Sequence, residues 1–535
     1  MRILFLLLLS STVSFSANYY VSPKGDNTND GSLVAPFLTI SYGVSSLTAG
    51  DTLFIKEGVY KERVEVTVSG TESNHIVITN FEDDSVVIDG SQSDWGDRWY
   101  GLFTIANQGY LIVNGISVIR SVTYGGIWVE ESHHITIQNC STYDTYSSGI
   151  SCWNSDSVTF THNEVELACN PGEQESISVE SSSNVIVSFN EVHHNGGGEN
   201  GGEGIDIKNG SHDVKVFNNY VHHLVERIGL YGDAWDSHTY AIEYYNNIVH
   251  DCGNNGINIQ SEMGGLIENI KIYNNVVYNN KWDGIVVGSV VADPSVDTTP
   301  VENVAIYNNT VYGNGTSSDG SFSGGWGYGI LIDNPDARTI VVRNNILSGN
   351  SAQLALNGTP QSEVLFEYNL LDGFNETPES VDGMHALKAT PHFKDTAAHD
   401  FNLTNISPAI DAAIETDVPL TDILGTSRPV GLGGDMGAYE FDSTITPLTK
   451  TTIQNSSAPY QIVQRGRHIV VHFVQPLRSD YSFTLFSITG KVVASSQGSR
   501  GQDIYITSPL AQGVYLFSLH TEGGLQTLKG RFRVS

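Results

Sequence analysis

Residues 204–278, GIDIKNGSHDVKVFNNYVHHLVERIGLYGDAWDSHTYAIEYYNNIVHDCGNNGINIQSEMGGLIENIKIYNNVVY, spell one unit repeatedly. Each unit opens on Gly-Ile or Gly-Leu (Gly204-Ile205, Gly229-Leu230, Gly256-Ile257). It runs through an alternating strand, a polar turn and a second alternating strand, and closes on Asn-x-Val. Working outward, the same opening recurs at Gly126-Ile127, Gly149-Ile150, Gly284-Ile285 and Gly329-Ile330. The closing Asn recurs at Asn139, Asn163, Asn190, Asn219, Asn247, Asn275, Asn309, Asn345 and Asn369, spaced 24 to 36 residues apart. A fixed period of this length marks one coil of a solenoid, and the longer gaps mark loops inserted at a turn. Stacked coils place parallel strands about 4.8 Å apart, with Ile, Val and Leu inward and polar residues outward.

The recurring Asn falls where the chain bends. There its amide can bond the Asn of the coils above and below, so the column is expected to be structural and carries no chemistry. The His-rich ends Val192-His193-His194, Val221-His222-His223 and Val249-His250 have the look of metal ligands. Their recurrence at one place in the repeat favours a stacked structural column instead.

The bulk numbers agree with a solenoid. The chain has 535 residues, too many for one compact core, and a net charge of −33 from 26 Lys+Arg against 59 Asp+Glu. Phosphate binding needs basic patches, so nucleic acid is not expected as a partner and an anionic membrane is a poor one. Residues 1–17 read as a secretory signal peptide: Arg2, an apolar run from Ile3 to Leu9, then small residues with Ser14 and Ser16 or Ala17 suited to cleavage. Export permits disulfides among Cys140, Cys152, Cys169 and Cys252; three pairings are open, no zinc-type spacing occurs, and Cys152 reads as a buried apolar thiol.

Val21-Ser22-Pro23-Lys24-Gly25-Asp26, Asn29-Asp30-Gly31, Pro36-Phe37, Gly50-Asp51-Thr52 and Glu57-Gly58-Val59-Tyr60 resemble the entry segment of pectate-lyase-like β-helix proteins. A helix at about Thr39–Ser46 is expected to cap the first coil. Phe401-Asn402-Leu403, Ser407-Pro408-Ala409-Ile410-Asp411 and Gly434 to Glu440 resemble the closing segment of the same proteins. The resemblance covers about residues 18–442 and implies a single-stranded right-handed parallel β-helix, a fold that hosts lyases, hydrolases, epimerases and adhesins. Residues 443–457 are Ser/Thr-rich and read as a linker. Residues 458–535 alternate as strands at His468–Phe473, Phe483–Phe486, Lys491–Ala494, Gly513–Leu516 and Thr527–Val534, a small C-terminal β-sandwich. Thr489-Gly490-Lys491-Val492-Val493, Leu510 to Tyr515, Lys529-Gly530 and Val534 make it similar to the sorting domain of type IX secretion substrates. That similarity implies a secreted or surface-attached protein, exported through the periplasm, with the type IX machinery as partner.

Aligning the coil openings gives two outward columns. One carries Trp128, Ser151, Ser178, Asp206, Tyr231, Asn258, Val286 and Leu331. The other carries Glu130, Trp153, Glu180, Lys208, Asp233, Gln260, Gly288 and Asp333. Asp206, Lys208, Asp233, Asp236 and Glu262 crowd adjacent coils, and carboxylates so close repel unless a cation or proton is shared. Trp128, Trp153, Tyr231 and Trp235 offer faces on which sugar rings stack, with His238 beside them, and the expected partner is an extracellular polysaccharide met by a monomer. Glu173 to Glu175 and Asn195–Gly202 are expected to form a loop beside this cleft; no phosphate loop is read there, because no strand-to-helix transition follows.

The site pattern resembles family 9-type polysaccharide lyases. The resemblance implies Ca²⁺ held by Asp206, Asp233 and Asp236, and abstraction of the C5 proton of an acidic sugar followed by β-elimination. Lys208 is offered as the base, with a depressed pKa, because the outward columns of the coils beyond carry no lysine. Calcium or Arg227 would neutralise the uronate carboxylate. The alternative is a hydrolase, with Asp233 or Asp236 paired with Glu262 or Asp206 about a glycosidic bond. A non-catalytic glycan-binding solenoid is a further reading. A C5 epimerase is a fainter one, carried by Gly204-Ile205-Asp206-Ile207-Lys208.

Overall fold

The computed structural model describes residues 16–442, apart from 83, 93–99, 124, 197–199, 290–294, 316–326 and 374–377, together with the strands within 460–534. All but the last two residues of the expected signal peptide, and the whole expected linker, lie outside the described residues. The chain forms two compact units, Met1–Pro419 with Leu432–Tyr439, and Leu420–Gly431 with Glu440–Ser535.

The first unit is a right-handed parallel β-helix. Alternation of apolar and polar residues makes each coil three short strands, and stacking gathers them into three sheets. Among the described residues, one sheet has 13 strands, from Asn18–Val21 to Val364–Glu367. A second has 11, from Val64–Val66 to Ala352–Asn357, and a third has 12, from Gly58–Tyr60 to Leu370–Asp372. Ile205, Ile207, Val214, Val216 and Val221 of a single coil all point inward and are fully buried, continuous with the core that runs the length of the unit. A short helix, Ile40–Ser45, closes the first coil. Thr39 caps it, Ile40, Gly43 and Val44 are buried, and Glu62 accepts from the backbone of Ile40 and Ser41 at 2.9 Å each. At the other end Gly437 donates to the Asn344 carbonyl (2.7 Å), and Asn308 Nδ2 donates to the Asp435 carbonyl (2.9 Å).

The Asn column forms a continuous ladder. In each of Asn163, Asn190, Asn219, Asn247, Asn275, Asn309 and Asn345, Nδ2 donates to Oδ1 of the next Asn at 3.0 Å, ending at Asn369. The backbone N–H of each rung donates to the same oxygen, as Asn219 does to Asn247 (3.0 Å). The other Nδ2 hydrogen reaches a backbone carbonyl of the preceding coil, Val216 in the case of Asn247 (2.9 Å). Every rung therefore satisfies bend groups that no strand ladder reaches. Asn139 departs from the expectation. It occupies the preceding slot, exposed and left-handed (φ 51), and Cys140 takes the rung, its N–H donating to Asn163 Oδ1 (2.9 Å). The left-handed slot is filled by Asn218, Asn246 and Asn274, but also by His162, Phe189 and Tyr368. A second amide ladder, Asn280, Asn314 and Asn350, runs along the next bend at 2.9 Å per step; it was not read from the sequence.

Cys140, Cys152, Cys169 and Cys252 are all buried and free, so none of the three pairings is made. Burial pushes the Cys140 and Cys152 thiols up to about 12. In the C-terminal unit the described strands form two antiparallel sheets, of three and four strands. They include His468–Phe473 and Thr527–Val534 as expected, and add Tyr460–Arg465 and Ile504–Ile506.

Replacing a rung strands its neighbour. Asn247→Ala leaves two Asn219 donors without an acceptor inside the core, and should cost about 3 kcal/mol or more. Asn139→Gly, outside the ladder and at a positive φ, should change stability by less than about 0.5 kcal/mol. Urea unfolding followed by tryptophan fluorescence checks both, since all 7 tryptophans lie before residue 443.

Candidate active site

The strand register reproduces the two outward columns. Trp128 pairs with Ser151, Ser151 with Ser178, Ser178 with Asp206, Asp206 with Tyr231 and Tyr231 with Asn258. In the other column Glu130 pairs with Trp153, Trp153 with Glu180, Glu180 with Lys208, and Asp233 with Gln260. Gly229-Leu230 does open a coil in the place of Gly-Ile, as Leu230 pairs with Ile205 and Ile257.

These strands floor a cleft of about 730 Å³, lined by Glu175, Glu180, Glu203, Asp206, Lys208, Arg227, Tyr231, Asp233, Trp235 and Glu262, with Glu173, Gln174, Gly201 and Asn209. One wall is the expected loop, which folds as a two-stranded parallel pair of Glu173–Gln174 with Asn200–Gly201. Gly201 is required there: its φ is +97, and a Cβ would sit 2.3 Å from the Gln174 carbonyl oxygen.

Lys208 organises the charges. Its Nζ donates to both oxygens of Glu175 (2.8 Å each) and to Gln174 Oε1 (3.0 Å), and Glu180 lies 4.0 Å away. The depressed pKa expected of a base is corrected here. Burial lowers it, but Glu175, Asp206 and Glu180 outweigh burial and raise it well above the usual lysine value. The amine is a held ammonium, ion-paired with Glu175.

Asp206 (1% exposed) and Asp233 (6%) each bury an Oδ1 that has no hydrogen-bond partner. Burial, then Asp233 and Glu175, push Asp206 well above the carboxylate range. Burial, then Glu262, do the same for Asp233, with Lys208 opposing in both cases. Glu203 is pushed up to about 7 by burial, with Glu175 adding. Opposite them runs a relay. Asn258 Nδ2 donates to Gln260 Oε1 (3.0 Å), and Gln260 Nε2 donates to Glu262 Oε1 (2.9 Å) and to the Tyr231 hydroxyl. That hydroxyl donates in turn to Glu262 Oε1. Glu262 is thus an oriented acceptor beside acids that favour their protonated form.

The remaining expected site residues are not brought in. Asp236 lies past the end of the strand Leu230–Ala234, exposed and bonded to Ser237 (3.0 Å). His238 has turned the corner onto the next sheet, where Nε2 meets Glu268 Oε1 (3.0 Å) and the ring stacks on Tyr240. Trp128 faces outward yet is covered by Trp153, with ring centroids 4.7 Å apart, and its Nε1 donates to Glu130 (3.3 Å). Neither tryptophan lines the cleft, whereas Tyr231 and the 44%-exposed Trp235 do. Glu175 and Glu203, absent from the expected set, each stand just before a coil opening, at Ser176-Ile177 and Gly204-Ile205.

The expected calcium set does not fit this geometry. Calcium takes six to eight oxygens. The orphan oxygens of Asp206 and Asp233 would suit a cation, but Asp236 stands outside the cleft, so the three carboxylates do not converge. Among the described residues, the groups of three whose ligand atoms lie within 4.8 Å of one another are Glu166, His193, His194 and His223, His250, Asp251.

The fold is that of a right-handed parallel β-helix, and parts of the chain match two families of that kind. Residues 19–170 match the family described as "Pel9A-like, right handed beta helix region", and residues 227–370 match "Right handed beta helix region". The chain is similar to the uncharacterized protein YwoF of Bacillus subtilis, 32% identical over 127 residues, covering 22% of this chain and 27% of that protein. It is similar to pectate lyase PEL9 of Emericella nidulans, 37% identical over 79 residues, covering 14% of this chain and 19% of that protein. The chain therefore spans about a quarter and a fifth of these relatives. Among solved structures, that of XylC in complex with xylose shares the fold, at 13% identity and a TM-score of 0.53, covering 79% of this chain and 98% of that one.

The raised carboxylates tie stability to pH. A folded pKa above the unfolded one, near 4, gives a contribution fully present below pH 4 that is lost as pH rises through the folded value. Asp206→Asn removes one such group. Its melting temperature should exceed the parent's at pH 8 and match it at pH 4, as checked by thermal melts across that range.

Proposed function

We propose that this chain is an enzyme that cleaves glycosidic bonds of a polysaccharide through paired carboxylates in this cleft. The observation that carries the reading is Asp233, buried and driven toward its protonated form, on the coil next to a Glu262 fixed by Tyr231 and Gln260. Asp233 gives its proton to the departing glycosidic oxygen. Glu262 attacks the anomeric carbon or activates water against it. Trp235, at the rim, stacks on a sugar ring, and Arg227 and the Lys208 ammonium offset the charge of an acidic sugar. Burial and the neighbouring Glu262 keep the Asp233 proton in place.

β-Elimination is a second reading, favoured by the Pel9A-like match over residues 19–170 and the pectate lyase PEL9 segment. It needs a base other than the Lys208 amine in its present surroundings. Export is part of the proposal: residues 1–17 as signal peptide and 458–535 as type IX sorting domain, so that deleting 458–535 should leave the protein in the periplasm on fractionation.

Incubation with a panel of polyuronates and neutral glycans separates the readings. The expected products are saturated reducing ends, at a rate unaffected by added calcium, and ultraviolet-absorbing unsaturated uronates would make it a lyase. Asp233→Asn and Glu262→Gln should each lower kcat by about 10³-fold. Activity should fall as pH rises through the elevated Asp233 value, since the acid must be protonated. Binding without turnover on every glycan would end the proposal.

A further inference from the structure

The third sheet carries a feature outside the cleft. Its strands Glu191–His193, Tyr220–His222 and Ile248–His250 end in register, His193 beside His222 and His222 beside His250. The rings stack face to face, with centroids 5.1 and 5.2 Å apart and interplanar angles of 2° and 9°. This is the structural column that the repeat predicts. The residue after each is left-handed: His194 (φ 51), His223 (φ 54) and Asp251 (φ 52). In an extended strand, successive side chains point to opposite faces. A left-handed residue brings the second onto the side of the first, so each coil ends in a facing pair. Nδ1 of His193 lies 2.7 Å from Nδ1 of His194, and Nδ1 of His222 lies 2.8 Å from Nδ1 of His223. His250 Nδ1 lies 2.6 Å from Asp251 Oδ2.

We propose that these paired ends hold two divalent zinc-type ions, one at Glu166, His193 and His194, the other at His223, His250 and Asp251. Two lines of geometry support it. In each trio the ligand atoms already lie within 4.8 Å of one another, and two nitrogens bound to one zinc at about 2.0–2.1 Å stand roughly 3 Å apart. The outer shell is also in place. The far nitrogen of His193 meets Glu164 (3.4 Å) of the preceding coil, and His250 Nε2 meets the Tyr220 hydroxyl (2.8 Å). A carboxylate behind an imidazole takes the Nε2 proton and leaves Nδ1 with its lone pair toward the metal. Glu166 lies directly beside His193 in the register, so the first ion ties two neighbouring coils; His223 and His250 do the same for the second. Two imidazoles and a carboxylate, or two imidazoles and an aspartate, suit zinc rather than calcium. His133 and His134 form an internal control: the same pairing at 3.1 Å, with His134 left-handed, but in no such trio.

Calorimetric titration of the metal-stripped full chain with Zn²⁺ tests the proposal. Asn tolerates the left-handed slot and lacks the imidazole, so the variants are His194→Asn, His223→Asn, both together, and His134→Asn. The parent should bind two equivalents, each of the first two variants one, the double variant none, and His134→Asn two. The metal-free melting temperatures of all four should match the parent's, and zinc should raise that of the parent but not of the double variant. No heat of binding in the parent, or two equivalents retained in the double variant, would overturn the assignment.

Discussion

Everything in the β-helix depends on register between coils, and register is set at the bend by the amide ladder from Asn163 to Asn369. A parallel strand pair can slip by two residues and still bury the same face. An Asn whose amide must meet the Asn of the next coil at 3.0 Å cannot slip. The ladder therefore converts a repeating apolar pattern, which fixes only which face is buried, into an exact stacking of particular side chains. The cleft is one product of that stacking. Asp206, Tyr231 and Asn258 are neighbours in space because their coils are locked in phase, although they are more than 20 residues apart in the chain.

Within the cleft, the decisive term is the balance between desolvation and a small number of cations. Seven carboxylates share the space with Lys208 and Arg227. Glu175 and Glu180 take the ammonium, as charge pairs do when both members leave water. Asp206 and Asp233 are left without an acceptable counter-ion and turn to the proton. One buried lysine thus pairs with some of these carboxylates and leaves Asp206 and Asp233 as neutral acids, beside a Glu262 acceptor that Tyr231 and Gln260 orient.

Much of this was legible in the sequence, because the coil openings phase the repeat. Both outward columns follow from the Gly-Ile positions, and even the irregular opening Gly229-Leu230 falls into place. Other features were not legible, each for a physical reason. Asn139 occupies the left-handed slot one residue before the rung; where neighbouring coils carry Asn-Asn, one Asn looks like either. Asp236 and His238 fall just past a strand end, where one residue decides which face a side chain joins. Trp128 points outward but is roofed by Trp153, so outward did not mean accessible. The state of Lys208 depended on Glu175, which reaches it from an inserted loop whose path no periodicity encodes.

The bend that carries the ladder holds His162, Phe189 or Tyr368 as well as Asn in its left-handed slot. The solenoid is therefore modular in a strict sense: a coil can be duplicated or lost wherever its amide rung survives, lengthening or shortening the rod without disturbing its cross-section. The exception is the run from Glu203 to Glu262. An extra coil there would move the acid and its partner apart by one whole strand spacing, about 4.8 Å, with nothing in between. Descent by coil duplication is open along much of the rod and closed where side chains of neighbouring coils act together.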